Sequence, residues 1–250
     1  MKIRAVIFDI YKTLLGLDPP PPDAEARWVA LWLETFGGPP RFDLGSFRAA
    51  CDVIIAREHA AARAAGITWP EVYWPDVVAE LLPELARSPA RSPATFMLRH
   101  AGLMHTVKLH PAAARMLASL HEHGVLLGLA SNCQPYTLAE LKVEFATAGL
   151  SLDIFHPSLR FLSFEHGYSK PDPHVFRLLA ARLRLLGVTA PEALLVGDRL
   201  DNDIEPARAQ GFDVATRRCL VPGADGGWVG VVGEAFAARP MKSMGGSGLF

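Results

Sequence analysis

Asp9, Ser131, Lys170 and Asp198 each stand at or shortly after the end of an apolar run, and their types suit one kind of chemistry. Asp9 closes Ile3–Phe8 and opens Asp9-Ile10-Tyr11-Lys12-Thr13, while Ser131-Asn132 closes Val125–Ala130. Lys170 lies in Tyr168-Ser169-Lys170-Pro171-Asp172-Pro173. Asp198 follows Ala193–Gly197 in Gly197-Asp198-Arg199-Leu200-Asp201-Asn202-Asp203. Gathered in one place, Asp9, Asp198 and Asp203 repel one another unless a cation intervenes. Hard oxygen donors without a His or Cys ligand pattern suit Mg²⁺, which shares its remaining positions with water and substrate phosphate. Lys170 and Ser131 fit an anionic substrate as point charge and hydrogen-bond donor. A carboxylate can itself attack phosphorus and form an aspartyl-phosphate. The chemistry supported is metal-assisted phosphoryl transfer, in which positioning and charge neutralisation supply most of the rate.

Such a set works only if the scaffold delivers several strand ends to one edge. Ile3–Phe8, Val125–Ala130, Leu159–Phe164, Ala193–Gly197 and, more weakly, Phe212–Thr216 read as strands. Helical patterns at Pro111–His123, Thr137–Ala148, Pro173–Leu186 and Asp203–Gln210 separate them, several followed by glycine. That alternation predicts βαβ units and an α/β fold, a Rossmann-like doubly wound parallel sheet with its site at the carboxyl ends of the strands. Between Leu17 and Val107 no convincing strand pattern occurs. Helices are expected there at Asp23–Phe36, Ser46–Ala65 (Ser46 as N-cap), Pro75–Leu82 and Pro93–Ala101. The expected organisation is a core of residues 1–16 and 108–220, an inserted all-helical cap of residues 17–107, and a Gly-rich tail of residues 221–250.

Composition narrows the function classes. The 250 residues carry 25 Lys plus Arg against 26 Asp plus Glu, a net charge of −1, and 50% are hydrophobic. Disordered chains are poorer in apolar residues, and nucleic-acid binders concentrate positive charge that is missing here. No nucleic-acid partner is expected, nor a membrane, since no apolar run approaches the roughly 18–20 residues of a spanning helix. Cys51, Cys133 and Cys219 are odd in number and widely spaced, which fits a reduced chain. With no signal peptide pattern at Met1–Arg4, a cytoplasmic protein is expected. Oligomeric state has no signature.

At these residues the sequence resembles the haloacid dehalogenase superfamily of hydrolases. Asp9–Thr13 is similar to its first motif, Ser131 with Asn132 to its second, Lys170 to its third, and Gly197-Asp198 through Asp203 to its fourth, in the family's order. The resemblance implies a nucleophile at Asp9, substrate contacts at Thr13, Ser131 and Asn132, and a catalytic, phosphate-contacting Lys170. It also implies Mg²⁺ held by Asp9, the Tyr11 backbone carbonyl, Asp198 and Asp203. The helical insertion would be a cap that selects a small phosphorylated metabolite. One position departs from the pattern: family phosphatases carry an acid/base Asp two residues after the nucleophile, and here Tyr11 stands there. A phenol of ordinary pKa near 10 can donate a hydrogen bond but is a poor base at neutral pH. Tyr11 is therefore either a catalytic hydrogen-bond donor in the site or cap packing, and substrates with good leaving groups, such as acyl phosphates, are favoured. Tyr at this position also resembles the metal-independent 2-haloacid dehalogenases, the alternative reading. A second alternative is a catalytically weak protein that binds metal, phosphate or a partner.

Other features read blandly. Asp201 and Asn202 suit a solvated turn, Trp69–Trp74 a cap interior, and Cys133 an inert buried thiol. His100, His105 and His110 match no metal spacing.

Overall fold

The computed structural model describes residues 3–87 and 92–216, so the expected tail of residues 221–250 and Cys219 lie outside the described residues. β1 (Ala5–Phe8) is buried along its whole length, as a central strand of a parallel sheet must be. It is followed by β2 (Leu15–Asp18) and four helices: α1 (Ala24–Phe36), α2 (Leu44–Ala64), α3 (Trp74–Leu81) and α4 (Pro93–Met104). Then come β3 (Thr106–Leu109), α5 (Pro111–Glu122), β4 (Leu126–Ser131), α6 (Pro135–Thr147), β5 (Phe155–Leu162) and the single turn α7 (Ser163–His166). α8 (Pro173–Leu185), β6 (Ala193–Gly197), a π-helical turn at Leu200–Ile204, α9 (Glu205–Ala209) and β7 (Asp213–Thr216) follow.

The main sheet has the order β5-β4-β1-β6-β7 with every pairing parallel, giving the expected Rossmann-like α/β core. The period-2 alternation of β1 divides the interior. Val6 and Phe8 pack with Met116, Leu117 and Leu120 of α5 and Leu141 and Phe145 of α6. Ala5 and Ile7 face Val175, Phe176, Leu179 and Leu183 of α8 and Ala207 of α9. β5 is an edge strand, which tolerates Pro157.

The helices between β2 and β3 form a separate apolar cluster around Trp28, Trp32, Phe47, Val78 and Phe96. Trp28 meets Trp32, Phe47 and Phe96 at ring-centroid distances of 5.4, 5.0 and 5.9 Å. α2 begins earlier than expected: Asp43, not Ser46, is its N-cap, and its carboxylate accepts from Ser46 N at 2.6 Å.

The local sequence pattern missed two short strands. β2 and β3 pair antiparallel, Leu15 opposite Leu109 and Asp18 opposite Thr106, as a two-stranded ribbon through which the chain leaves and re-enters the sheet region. Each strand is four residues long with a partner far away in sequence, so neither shows a usable period. β5 starts at Phe155 and stops at Leu162, because Ser163 begins a helical turn that Gly167 ends at φ 72°. Among the described residues no helix is long and apolar enough to cross a membrane.

Candidate active site

Asp9 is the first residue beyond β1, and its N–H donates to the Val196 carbonyl of β6 at 2.9 Å. The chain then reverses tightly, with Leu14 N and Leu15 N both reaching the Ile10 carbonyl at 2.9 Å. Within this turn Lys12 has φ 58°, alone among the described non-glycine residues in being positive. An L-residue held there costs about 1–3 kcal/mol and persists where its surroundings fix it, characteristically at functional loops. The turn brings Thr13 Oγ1 to 3.5 Å from Asp9 Oδ2.

Lys170 is 2% exposed, and its Nζ donates to Asp9 Oδ1 at 2.8 Å and Asp203 Oδ1 at 2.6 Å. Asp203 is held from its other oxygen by Arg199 N at 3.1 Å, inside the π-helical turn that follows β6. Glycine at 197 makes this possible, because a Cβ there would lie 2.5 Å from Asp203 Cβ, Cγ and Oδ2. Asn202, expected on a solvated turn, is buried, since the π-helical turn rotates it inward; Asp201 stays exposed and pairs with Arg199.

Ser131, at the end of β4, is buried, and its hydroxyl acts to lower the pKa of Asp9. Asn132 behaves differently. Its Nδ2 donates to the Lys170 carbonyl and its Oδ1 accepts from Lys170 N, both at 2.8 Å. Both ends of that amide engage the Lys170 main chain, so Asn132 holds the backbone that carries Lys170.

Burial raises the pKa of Asp9; Lys170 opposes this and Asp203 adds to it. Burial works against the charge on Lys170, but Asp9 and Asp203 outweigh it and its pKa is raised. Without a further cation the site therefore holds a firmly charged ammonium beside a nucleophile candidate reluctant to ionise. The carboxylate oxygens of Asp9, Asp198 and Asp203 offer one atom each within 4.8 Å of one another. An all-oxygen set of that span fits a hard divalent ion, and the Tyr11 carbonyl belongs to the same Asp9 loop.

The Tyr11 side chain is turned to other work. Its hydroxyl donates to Glu140 Oε2 on α6, and burial together with that carboxylate raises its pKa well above the ordinary 10. Glu140 Oε1 lies 3.0 Å from His105 Nε2. Glu140 was not singled out from the sequence, although Glu140 and Glu144 stand one helical turn apart after the Ser131 motif, and His105 was weighed there only as a metal ligand and given no role. Cys133 is buried beside the site, and burial pushes its thiol up to about 12, so it is inert.

Trp69–Trp74 is only in part interior to the helical cluster: Val72 is buried in it and Trp74 packs against it. Trp69 and Tyr73 are 45% and 40% exposed, and the segment lies as a strap across the sheet's carboxyl edge. Glu71 N donates to Gly167 O at 3.0 Å and Ser169 N to Trp69 O at 2.9 Å, directly beside Lys170. The Glu71 carboxylate accepts from Ser163 Oγ at 2.8 Å, Val72 N at 3.0 Å and Gln134 Nε2 at 3.2 Å.

Residues 3–211 match the family model of the haloacid dehalogenase-like hydrolases. A phosphoserine phosphatase of Thermus thermophilus is 37% identical over 103 residues, 41% of this chain and 38% of that protein. A glyceraldehyde 3-phosphate phosphatase of Pyrococcus abyssi is 35% identical over 102 residues, 41% of this chain and 39% of that protein. The aligned region thus spans about two fifths of each curated relative. A HAD family enzyme of Bacteroides thetaiotaomicron, solved with magnesium and inorganic phosphate, superposes with a TM-score of 0.54 at 15% identity. That likeness covers 91% of this chain and 98% of that one, and at such identity it shows the fold alone.

Proposed function

This chain belongs to the haloacid dehalogenase-like hydrolases, and we propose that within them it is a Mg²⁺-dependent phosphohydrolase acting on a small phosphorylated metabolite. The observation that carries the reading is the group of Asp9, Asp198 and Asp203, its two buried members Asp9 and Asp203 both paired to Lys170. The matches to two phosphatases support it. Asp9, Asp198, Asp203 and the Tyr11 carbonyl would hold the ion, which when bound neutralises the clustered carboxylates and the substrate phosphate. Lys170 and Ser131 orient the phosphoryl group, and Thr13 borders the Asp9 carboxylate. An Asp9 carboxylate oxygen attacks phosphorus, and the bond to the leaving oxygen breaks with its electron pair going to the leaving group. Water then cleaves the aspartyl-phosphate, releasing inorganic phosphate and restoring Asp9.

Because the single Tyr11 proton is donated to Glu140, Tyr11 has none to offer a leaving oxygen. Substrates whose leaving group needs no proton, acyl phosphates foremost, fit that site best. Residues 17–107 would act as the cap, its strap at Trp69–Trp74 closing over the strand ends, and the paucity of cysteine fits a cytoplasmic setting.

The test is hydrolysis of acetyl phosphate and p-nitrophenyl phosphate with Mg²⁺ and with chelator, beside Asp9→Asn. The reading expects turnover that needs both Mg²⁺ and Asp9, with acetyl phosphate the better substrate. Turnover that survives chelator would overturn the metal requirement. Halide release from 2-chloropropionate under chelator, with neither phosphate compound cleaved, would place the protein among the metal-independent dehalogenases. Silence in every assay would leave the binding protein.

A further inference from the structure

We propose that Glu140 and His105 are positioning residues that hold the Asp9 loop through Tyr11 and tie it to β3, the strand by which the chain returns from the helical insertion. Tyr11 lies two residues after Asp9, and its hydroxyl donates to Glu140 Oε2. The other oxygen of the same carboxylate lies 3.0 Å from His105 Nε2, and the Tyr11 and His105 rings meet edge-on at 5.6 Å and 74°. His105 is the residue between α4 and β3. One helical turn beyond Glu140, Glu144 Oε2 accepts from Leu109 N at 2.9 Å, at the far end of β3. α6 therefore grips β3 at both ends with carboxylates on one face. β3 pairs with β2, and β2 begins two residues after Thr13.

These contacts close a circuit from the Asp9 loop through β2, β3, His105 and Glu140 back to Tyr11. The Glu140 side chain is 10% exposed and that of His105 20%, so the circuit is shielded from competing water. β2 and β3 are the two strands that join the helical insertion to the sheet. A displacement of the insertion that moves β3 pulls on Glu140, and through Tyr11 on the loop that carries Asp9. Tyr11 is in this arrangement a strut between nucleophile loop and insertion.

The inference rests on the phosphohydrolase reading only where turnover is measured, so the experiment has two readouts. The full chain is prepared as wild type, Glu140→Ala, Glu140→Gln, Tyr11→Phe and the double variant Tyr11→Phe/Glu140→Ala. Leu183→Ala, on the opposite sheet face, serves as a destabilised control. With acetyl phosphate and Mg²⁺, Glu140→Ala is expected to lower kcat by about 10–100-fold at little changed KM, the usual cost of losing a group that orients a catalytic one. Glu140→Gln, whose amide oxygen still accepts the Tyr11 proton, restores most of it. The double variant is no worse than the poorer single one, as expected of residues acting as a unit. By hydrogen exchange, Glu140→Ala increases opening in both Asp9–Asp18 and Thr106–Leu109, whereas Leu183→Ala does not single out these segments. A kcat for Glu140→Ala within about twofold of wild type, or effects that multiply in the double variant, would overturn the proposal. Unchanged exchange in the two segments would do so whatever the activity. If the wild type turns over no phosphate compound, the phosphohydrolase reading falls alone and the exchange comparison decides the circuit.

Discussion

Lys170 stands between two buried carboxylates, and its value is measured by what its removal would leave behind. Lys170→Met strands Asp9 and Asp203 with no counter-charge in a site where all three side chains are at most 10% exposed. Breaking one partner out of a buried ion pair costs about 3–5 kcal/mol. We expect that loss in urea unfolding with chelator present, and partial recovery on adding Mg²⁺, which supplies the missing charge. Equal stability of variant and wild type under chelator would refute the electrostatic account. At this scale the sequence was informative about residue type: Asp9, Ser131, Lys170, Asp198 and Asp203 do converge. Their division of labour was not legible. The sequence implied a substrate contact for Asn132 and left Tyr11 between a hydrogen-bond donor in the site and packing against the cap. In the structure the Asn132 amide grips the Lys170 backbone and the Tyr11 hydroxyl grips Glu140. A side chain's direction depends on neighbours brought from elsewhere in the chain, and spacing carries no record of them.

The strap and α4 show how an element can carry charge effects of opposite sign. Burial raises the pKa of Glu71 above the ordinary glutamate value of 4.5, even though Ser163, Gln134 and Val72 hydrogen-bond its carboxylate. The folded state therefore holds this proton more tightly than the unfolded one. Stability contributed by the group is present below pH 4.5 and declines as pH rises through the folded value. Glu71→Gln keeps one acceptor oxygen for Val72 N and Gln134, turns the other into an NH2 that can donate to Ser163 Oγ, and removes the charge. Its urea midpoint should therefore exceed that of wild type at neutral pH and converge with it at pH 4. A lower midpoint at neutral pH would mean that the hydrogen bonds favour the ionised form after all. His100 in α4 behaves in the reverse sense. Burial, with help from Arg48 and His105, lowers its pKa from 6.5 to about 4, and its Nε2 has no hydrogen-bond partner among the described residues. Below pH 6.5 the unfolded chain takes up a proton that the folded one refuses. Stability should fall by about 3 kcal/mol between pH 6.5 and 4 from this residue alone. His100→Phe, among the rings of Trp28 and Phe47, should flatten that part of the profile; an unchanged acid limb would assign it to other groups.

On the scale of the whole molecule, a parallel sheet and a helical insertion meet along one edge, and the candidate site lies at that junction. Metal binding to the folded state alone should therefore appear as global stabilisation: about 2.7 kcal/mol at one hundred times the dissociation constant. We expect the melting temperature of wild type to rise with Mg²⁺ and that of Asp198→Asn to rise far less; identical shifts would place the ion elsewhere. By itself the sequence determined the parallel α/β core, the helical character of the insertion and the identity of the charged residues at the strand ends. Those features follow from local periodicity and from residue chemistry, both of which act over a few positions. Only the tertiary structure decided the β2–β3 ribbon, the docking of the Trp69–Trp74 strap beside Lys170 and the Tyr11–Glu140–His105 contact. Each of these joins short polar or irregular segments distant in the chain, and no segment alone buries enough surface to announce its partner. Their pairing is set by where the sheet and the helical cluster bring them, and so it becomes visible only when the chain is folded.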